Sequence, residues 1–267
     1  MTQTFSSESR DCFSRVRFIM VHPSHPGNVG AAARAIKTMG FHDLYLIAPR
    51  HSHLGEHADA LALASGATDV LAGLQEVGTL EEALAPVTMA FALTARPREI
   101  GSPACDIREA AITSCSHLLN HNTARVAIVL GTERAGLSNE HIALCHRVCH
   151  IPANPEYSSL NVAQAAQLVA WELRYALASA TSLRLLPDTH GAFDSGQEPA
   201  QSRDVLALID HLEAALIATD FLDPDHPKKL MTRIRHLFGR CTLTRDETNM
   251  LRGVCTAMIK TAEKNIR

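Results

Sequence analysis

The chain has 267 residues, enough for one sizeable core and a smaller second unit. Hydrophobic residues make up 46%, aromatics only 4%, and the net charge is −3, so bulk charge does not announce a nucleic-acid binder; no apolar run approaches the ~18 residues of a membrane span. Seven cysteines, an odd number without a C-x-x-C pair, argue against a disulfide framework and fit a reducing, cytoplasmic setting; the polar start, Met1 to Arg15, lacks the apolar segment of a secretory signal.

Residues 1–14 are expected to be disordered, and Val16 to Val21 is the first strand. The loop from His22 to Gly30 is expected to open a helix from Ala31 to Met39, with Gly40 just past its end. Leu44 to Ile47 reads as a second strand, giving the strand–helix–strand start of a parallel sheet. His51 to Ala64 is His-rich and then helical, and Val70 to Val77 is a weak signal for an edge strand. Thr79 with Glu82, and Asp106 with Glu109, have the spacing of capping boxes. Between them Thr88 to Leu93 is a buried strand, running into Thr94-Ala95-Arg96-Pro97-Arg98.

The stretch from Arg125 to Trp171 organises the rest. Val126-Ala127-Ile128-Val129-Leu130 is continuously apolar, as expected of a parallel strand buried on both faces. Gly131 ends it, and Gly131 to Leu137 forms a loop in which the backbone comes close to something. A short helix from Asn139 to about Cys145 and a strand from Val148 to Ile151 follow. Pro152 and Pro155 interrupt regular structure before a helix capped by Asn161 that runs to about Ala180. Two successive strands thus end in polar loops on one sheet edge, where ligands of open α/β sheets bind.

Residues 181–202 combine proline, glycine and polar residues and read as a linker. Beyond it, residues 203–267 form a small all-helical domain, with helices expected around Val205 to Leu216, Lys229 to Phe238 and Asp246 to Ile259. Charge is uneven here. From His190 to Pro227 there are eight acidic residues against one arginine; from Lys228 to Arg252, seven basic residues against two acidic ones. Lys228, Lys229 and Arg233 therefore mark either a phosphate-binding face or a solvated helix.

Arg34 is expected one turn into the helix entered through Gly27-Asn28-Val29-Gly30, aimed at the ligand edge together with Asn28 and free backbone N–H groups. A glycine-tight turn followed by a surface arginine is the plainer reading. Walker and Rossmann glycine patterns are both absent. Glu133 is a loop carboxylate, either a cap or an arginine partner. Ser158, Ser159 and Asn161 read as N-cap chemistry. Arg96 and Arg98 suit phosphate contacts or surface ion pairs, and Tyr157 either stacks on a base or is an ordinary loop tyrosine. The His51, His53, Glu56, His57 group and the Cys145 to His150 segment match no zinc spacing, so no metal site is expected.

Three segments together carry a resemblance. H-P-G-N-V-G-A-A-A-R, then G-T-E-R-A-G-L, then I-P-A-N-P-E-Y-S-S-L-N, resemble in order and spacing the three motifs of the TrmH-type branch of the SPOUT methyltransferases. The likeness runs from about Arg15 to the end. It implies an α/β domain over residues 15–180 with a mostly parallel sheet and a C-terminal trefoil knot, a homodimer, and S-adenosyl-L-methionine-dependent 2'-O-methylation of RNA. The substrate implied is tRNA, at a cytidine or uridine in anticodon-loop position 32, with no membrane partner. Another RNA target and an RNA-binding protein without turnover stay open as alternatives.

By the same resemblance, Arg34, Asn28, Glu133 and Ser159 are implied in catalysis. Leu93, Thr94, Ala95, Gly131, Ile151, Ser158, Ser159 and Leu160 would line the cofactor site. Arg96, Arg98, Tyr157, Asn161, Lys228, Lys229 and Arg233 would contact RNA. A ribose hydroxyl is a poor nucleophile near neutral pH, and an arginine is a poor base. Arg34 is therefore better suited to orienting the ribose-phosphate and stabilising a developing alkoxide. The proton acceptor stays open among a substrate phosphate, Glu133 and water.

Overall fold

The computed structural model describes residues 7–95, 103–179, 198–226 and 228–265. In chain order it contains α1 (Ser7–Ser14), β1 (Val16–Val21), α2 (Pro26–Thr38), β2 (Asp43–Ile47), a 3-10 turn (Leu54–Glu56), α3 (Ala58–Ala64), α4 (Thr68–Ala72) and β3 (Gln75–Val77). Next come α5 (Leu80–Leu84), β4 (Met89–Leu93), β5 (Ala104–Asp106), α6 (Ile107–Asn120), β6 (Val126–Leu130), α7 (Asn139–Ala143), β7 (Arg147–His150) and α8 (Val162–Ser179). Three helices finish the chain: α9 (Ser202–Ala218), α10 (Leu230–Gly239) and α11 (Arg245–Asn265).

The strands form one seven-stranded sheet in the order β3-β2-β1-β6-β4-β7-β5, with every pair parallel. Its central strands are buried along their whole length because both faces are covered. Alternate residues feed two separate cores. Phe18, Met20, Phe91, Leu93, Ile128, Leu130 and Cys149 pack under α2, α6 and α8. Ile19, Val21, Ala90, Ala92, Ala127, Val129 and Val148 pack against α5 and the α7 segment. The α/β architecture read from the apolar runs is therefore present, followed by a helical C-terminal region.

Local capping also follows the residues. The Thr79 hydroxyl accepts from the Glu82 amide at 3.2 Å. Asp106 and Glu109 form a reciprocal capping box at the start of α6. Asn161 Oδ1 accepts from the Ala163 amide at 2.9 Å, capping α8.

Several expectations change. Residues 7–14, expected to be disordered, form α1, whose Cys12 and Phe13 are buried beside Phe41. Helix α2 begins at Pro26 rather than Ala31, because proline suits the first turn, where its missing N–H would have no partner anyway. Its Gly30 is a packing glycine: an added Cβ would lie 2.0 Å from the Ala60 carbonyl oxygen of α3. The Val70 to Val77 stretch splits into α4 and the edge strand β3. Strand β5 had no signal in the sequence. Of the expected linker, residues 181–197 lie outside the described residues. Residues 198–202 are tied down, with the Ala200 amide donating to Leu243 O at 2.8 Å and the Ser202 amide to Val87 O at 2.8 Å.

Candidate active site

The C-terminal ends of β1, β6, β4 and β7 share one sheet edge, and the loops leaving them carry most of the residues picked out in the sequence. At the β1 end, His22 adopts a left-handed φ of 47° and its amide donates to Ile47 O at 2.8 Å. This turns the chain sharply into Ser24, His25 and the start of α2. At the β6 end, Thr132 and Gly136 bridge each other, and Gly136 takes a φ of +70°. An added Cβ on Gly131 would meet the Gly136 carbonyl carbon at 2.3 Å. What the backbone approaches at Gly131 is thus its own loop, which closes tightly and presents Glu133.

Glu133 joins the two loops. Its Oε1 accepts from the Asn28 side-chain amide at 3.1 Å and from the backbone amides of Ser24 and His25 at 3.3 and 3.4 Å. Its Oε2 accepts from the Ser24 hydroxyl at 3.1 Å. Partial burial pushes the Glu133 carboxyl up, but hydrogen bonds from its own amide, Asn28 and Ser24 outweigh this and hold it below the usual value. The chain of contacts continues to the third loop. Asn28 Oδ1 accepts from Asn161 Nδ2 at 2.9 Å, while the other end of the Asn161 side chain caps α8. Residues 24, 28, 133 and 161 are thereby fixed relative to one another although they come from three distant segments.

The expected cofactor positions fall on adjacent strands of this edge. Leu93 ends β4, and Thr94 and Ala95 follow it; the Thr94 amide donates to Cys149 O of β7 at 2.9 Å. Gly131 and Ile151 directly follow β6 and β7. Ser158, Ser159 and Leu160 lie in the connection from β7 to α8, between the Asn154 turn and the Asn161 cap. Their side-chain hydroxyls make no hydrogen bond among the described residues, so both serines have free polar capacity. The set fits a small ligand read by backbone groups and a few hydroxyls.

Arg34 is placed differently from the expectation. It lies two turns into α2 rather than one, exposed, with no ion pair or side-chain hydrogen bond among the described residues. It is not part of the chain of hydrogen bonds at Glu133. Tyr157 is 79% exposed, following a turn in which its amide donates to Asn154 O at 3.0 Å. Arg96 and Arg98 lie outside the described residues. Lys228 and Lys229 precede α10, which carries Arg233 and packs against α7, where an added Cβ on Gly239 would lie 3.0 Å from the Ala143 carbonyl oxygen. Among the described residues no three His, Cys, Asp or Glu side chains converge as a metal-holding group. His53 instead faces Glu56 at 3.4 Å, and the His57 ring caps α3 by accepting from the Asp59 amide.

Ser24 was missed by sequence reasoning. Its partner Glu133 is more than a hundred residues away, and a serine in an H-P-S-H-P loop carries no local signature of that contact.

Residues 15–171 match the SpoU rRNA Methylase family, and residues 203–267 match the C-terminal domain of the tRNA methyltransferase TrmJ. The chain is 41% identical over 252 residues to the tRNA (cytidine/uridine/adenosine-2'-O-)-methyltransferase TrmJ of Pseudomonas aeruginosa, covering 93% of this chain and 95% of that one. It is 39% identical over 244 residues to the tRNA (cytidine/uridine-2'-O-)-methyltransferase TrmJ of Klebsiella pneumoniae, covering 91% and 96%. Among solved structures, TrmJ from Z. mobilis superposes with a TM-score of 0.74 at 31% identity, covering 91% of this chain and 98% of that one. A probable methyltransferase from Bordetella pertussis is 67% identical over 63% of this chain and 99% of its own, with a TM-score of 0.61.

Proposed function

The chain belongs to the SpoU methylase family of methyltransferases, and from that premise we propose that it transfers a methyl group from S-adenosyl-L-methionine to a ribose 2'-hydroxyl of tRNA. The target we assign is the cytidine or uridine at anticodon-loop position 32. The observation that carries the reading is the Glu133–Asn28–Asn161 chain of hydrogen bonds, which draws the three motif segments to one ligand edge.

When bound, S-adenosyl-L-methionine supplies an electrophilic methyl group. The chain's own residues then do the following. Backbone groups around Leu93, Thr94, Ala95, Gly131 and Ile151, with Ser158, Ser159 and Leu160, hold the nucleoside part at the ends of β4, β6 and β7. Arg34, without an ion pair or side-chain hydrogen bond among the described residues, orients the ribose-phosphate and stabilises charge growing on the attacking oxygen. Tyr157, Asn161, and Arg96 and Arg98, which follow Ala95 in sequence, are assigned RNA contacts, and Lys228, Lys229 and Arg233 are assigned phosphate contacts.

We assign the working form as a homodimer. In support, Leu168, Trp171 and Tyr175 form an exposed apolar stripe on α8, the helix capped by Asn161, and Trp171 and Tyr175 are 54% and 64% exposed. A second copy on that stripe would bring its own Arg34 towards the site. We further take the chain after β7 to thread as a trefoil knot, a reading supported by β7 lying between β4 and β5. A cytoplasmic location goes with a tRNA substrate; no described helix is long and apolar enough to cross a membrane.

The test is methyl transfer from labelled S-adenosyl-L-methionine to unmodified tRNA transcripts bearing C, U or A at position 32, with the product mapped to a nucleotide. Incorporation at the 2'-oxygen of nucleotide 32 is expected. Incorporation only into ribosomal RNA would move the substrate, and cofactor binding without incorporation into any RNA would favour an RNA-binding role. Arg34→Ala should lower turnover by on the order of 100-fold or more while changing tRNA affinity less than about threefold.

A further inference from the structure

We infer that Ser24 is a positioning residue for this reaction: its hydroxyl locks the Glu133 carboxylate as a charged clasp between the β1 and β6 loops, and so removes Glu133 from the role of proton acceptor. The inference rests on the methyl-transfer reading above and extends it to a residue outside the three motifs.

Glu133 Oε1 already accepts three N–H groups, from Ser24, His25 and Asn28. Oε2 has one partner among the described residues, the Ser24 hydroxyl at 3.1 Å. A carboxylate offers about two acceptor positions on each oxygen, so Oε1 is saturated and Oε2 keeps one, and a carboxyl held below its usual value is a poor base for a ribose proton. Ser24 directly follows two anchored residues. The His22 turn precedes it, and the Pro23 carbonyl accepts from the Arg50 amide at 3.1 Å. A hydroxyl on a pinned loop can therefore fix a carboxylate on a tightly closed one. Through Asn28 and Asn161 the same clasp sets where α2 and α8 begin relative to each other. With Glu133 a poor base, the ribose proton leaves through a substrate phosphate or water.

The Ser24 hydroxyl also helps hold the Glu133 carboxyl down, as the smallest of the hydrogen bonds that do so. Without its hydroxyl, Oε2 faces partial burial with no donor, and the carboxyl takes up a proton more readily. Protonation removes an acceptor position and breaks the chain of hydrogen bonds, so the acid limb of the rate profile moves to higher pH.

The full-length protein is assayed as wild type, Ser24→Ala, Ser24→Thr, Glu133→Gln and Glu133→Ala, with kcat and KM for tRNA measured across pH and the Glu133 carboxyl followed by NMR in carbon-13-labelled protein. Ser24→Ala should lower kcat about tenfold with KM for tRNA changed less than about twofold. Its acid limb and the Glu133 titration should both move upward. Ser24→Thr, which keeps the hydroxyl, should restore all three. Glu133→Gln should keep partial turnover and lose the Glu133 acid limb. Ser24→Ala with the wild-type profile and titration would overturn the inference, as would Ser24→Thr failing alongside it. A Glu133→Gln variant as inactive as Glu133→Ala would return the proton to Glu133. If the wild type methylates no RNA, the functional reading fails on its own, while the carboxyl titration still judges the Ser24 contact.

Discussion

The sheet domain and the helical C-terminal unit are built on opposite principles. In β1, β4 and β6 every residue is buried, and two cores grip the sheet from both faces. The C-terminal helices instead share two small clusters, one around Leu208, Ala215 and Cys255 and the other around Ile209, Leu222 and Met231. Phe221, Met250 and Val254 there stay exposed. The unit is fastened to the sheet domain partly by Ser202, whose amide and hydroxyl both donate to Val87 O. A platform that must hold loops to fractions of an ångström has to be densely packed. A unit proposed to meet a long polyanion needs surface and charge more than depth.

The same substitution should expose the contrast most sharply. Gly30→Ala in α2 pushes a Cβ into the Ala60 carbonyl, and should cost about 3 kcal/mol or more, read as a large drop in Tm. A small drop would mean that α3 moves away freely. The next effect is acid lability confined to the sheet domain. His117 is buried, its Nε2 lies 2.8 Å from the Thr88 hydroxyl, and burial with neighbouring positive groups pushes it down to about 3. Its unfolded value is about 6.5, so the folded state holds it neutral. The associated stability is fully present above about pH 6.5 and is lost as pH falls towards about 3, a loss on the order of a few kcal/mol. Thermal unfolding of wild type and His117→Gln at pH 7 and pH 4.5 checks this; the variant should lose less between the two.

In the helical unit, charge reversal at Lys228, Lys229 and Arg233 should leave Tm nearly unchanged but weaken tRNA binding about tenfold. The salt dependence should flatten by up to roughly 0.9 in log–log slope per lost phosphate contact. An unaltered slope would make that surface only a solvated face. The smallest effect has the opposite sign to the first: Gly253→Ala, in α11 with nothing within 4 Å of the new Cβ, should stabilise by about 1 kcal/mol.

Gly30 and Gly253 also show why some features were legible in the sequence and others were not. Apolar runs such as Val126 to Leu130 announce a strand buried on both faces because nothing else explains five consecutive buried positions. Caps such as Thr79 with Glu82 are local in sequence and could be read directly. Gly27 and Gly30 suggested a loop, and so the start of α2 was placed too late. The backbone there is helical, and glycine serves the approach of Leu63 and Ala60 from another helix. A glycine required for tight packing and a glycine required for turning look identical in one sequence. The position of Arg34, two turns into the helix, was misjudged for the same reason. Asn28, Glu133 and Asn161 could be singled out one by one, but their joining depends on the strand order. Strand β5 is three residues long and takes its definition from pairing with β7, so no pattern of its own existed to be read.

Strand β1 has a consequence for biosynthesis. It pairs on one side with β2, close behind it in the chain, and on the other with β6, about 110 residues later. At roughly 5–20 residues per second, a ribosome leaves that second edge of β1 without its native neighbour for on the order of 5–20 s. Its six apolar-flanked amides and carbonyls then wait beside an unfinished core, open to pairing with another nascent chain or to capture by a chaperone. The hydrogen bonds that join the candidate site wait longer still, until Asn161 has been made. Truncated chains released before that residue should therefore be aggregation-prone and unable to organise the site, whatever structure their first hundred residues have reached.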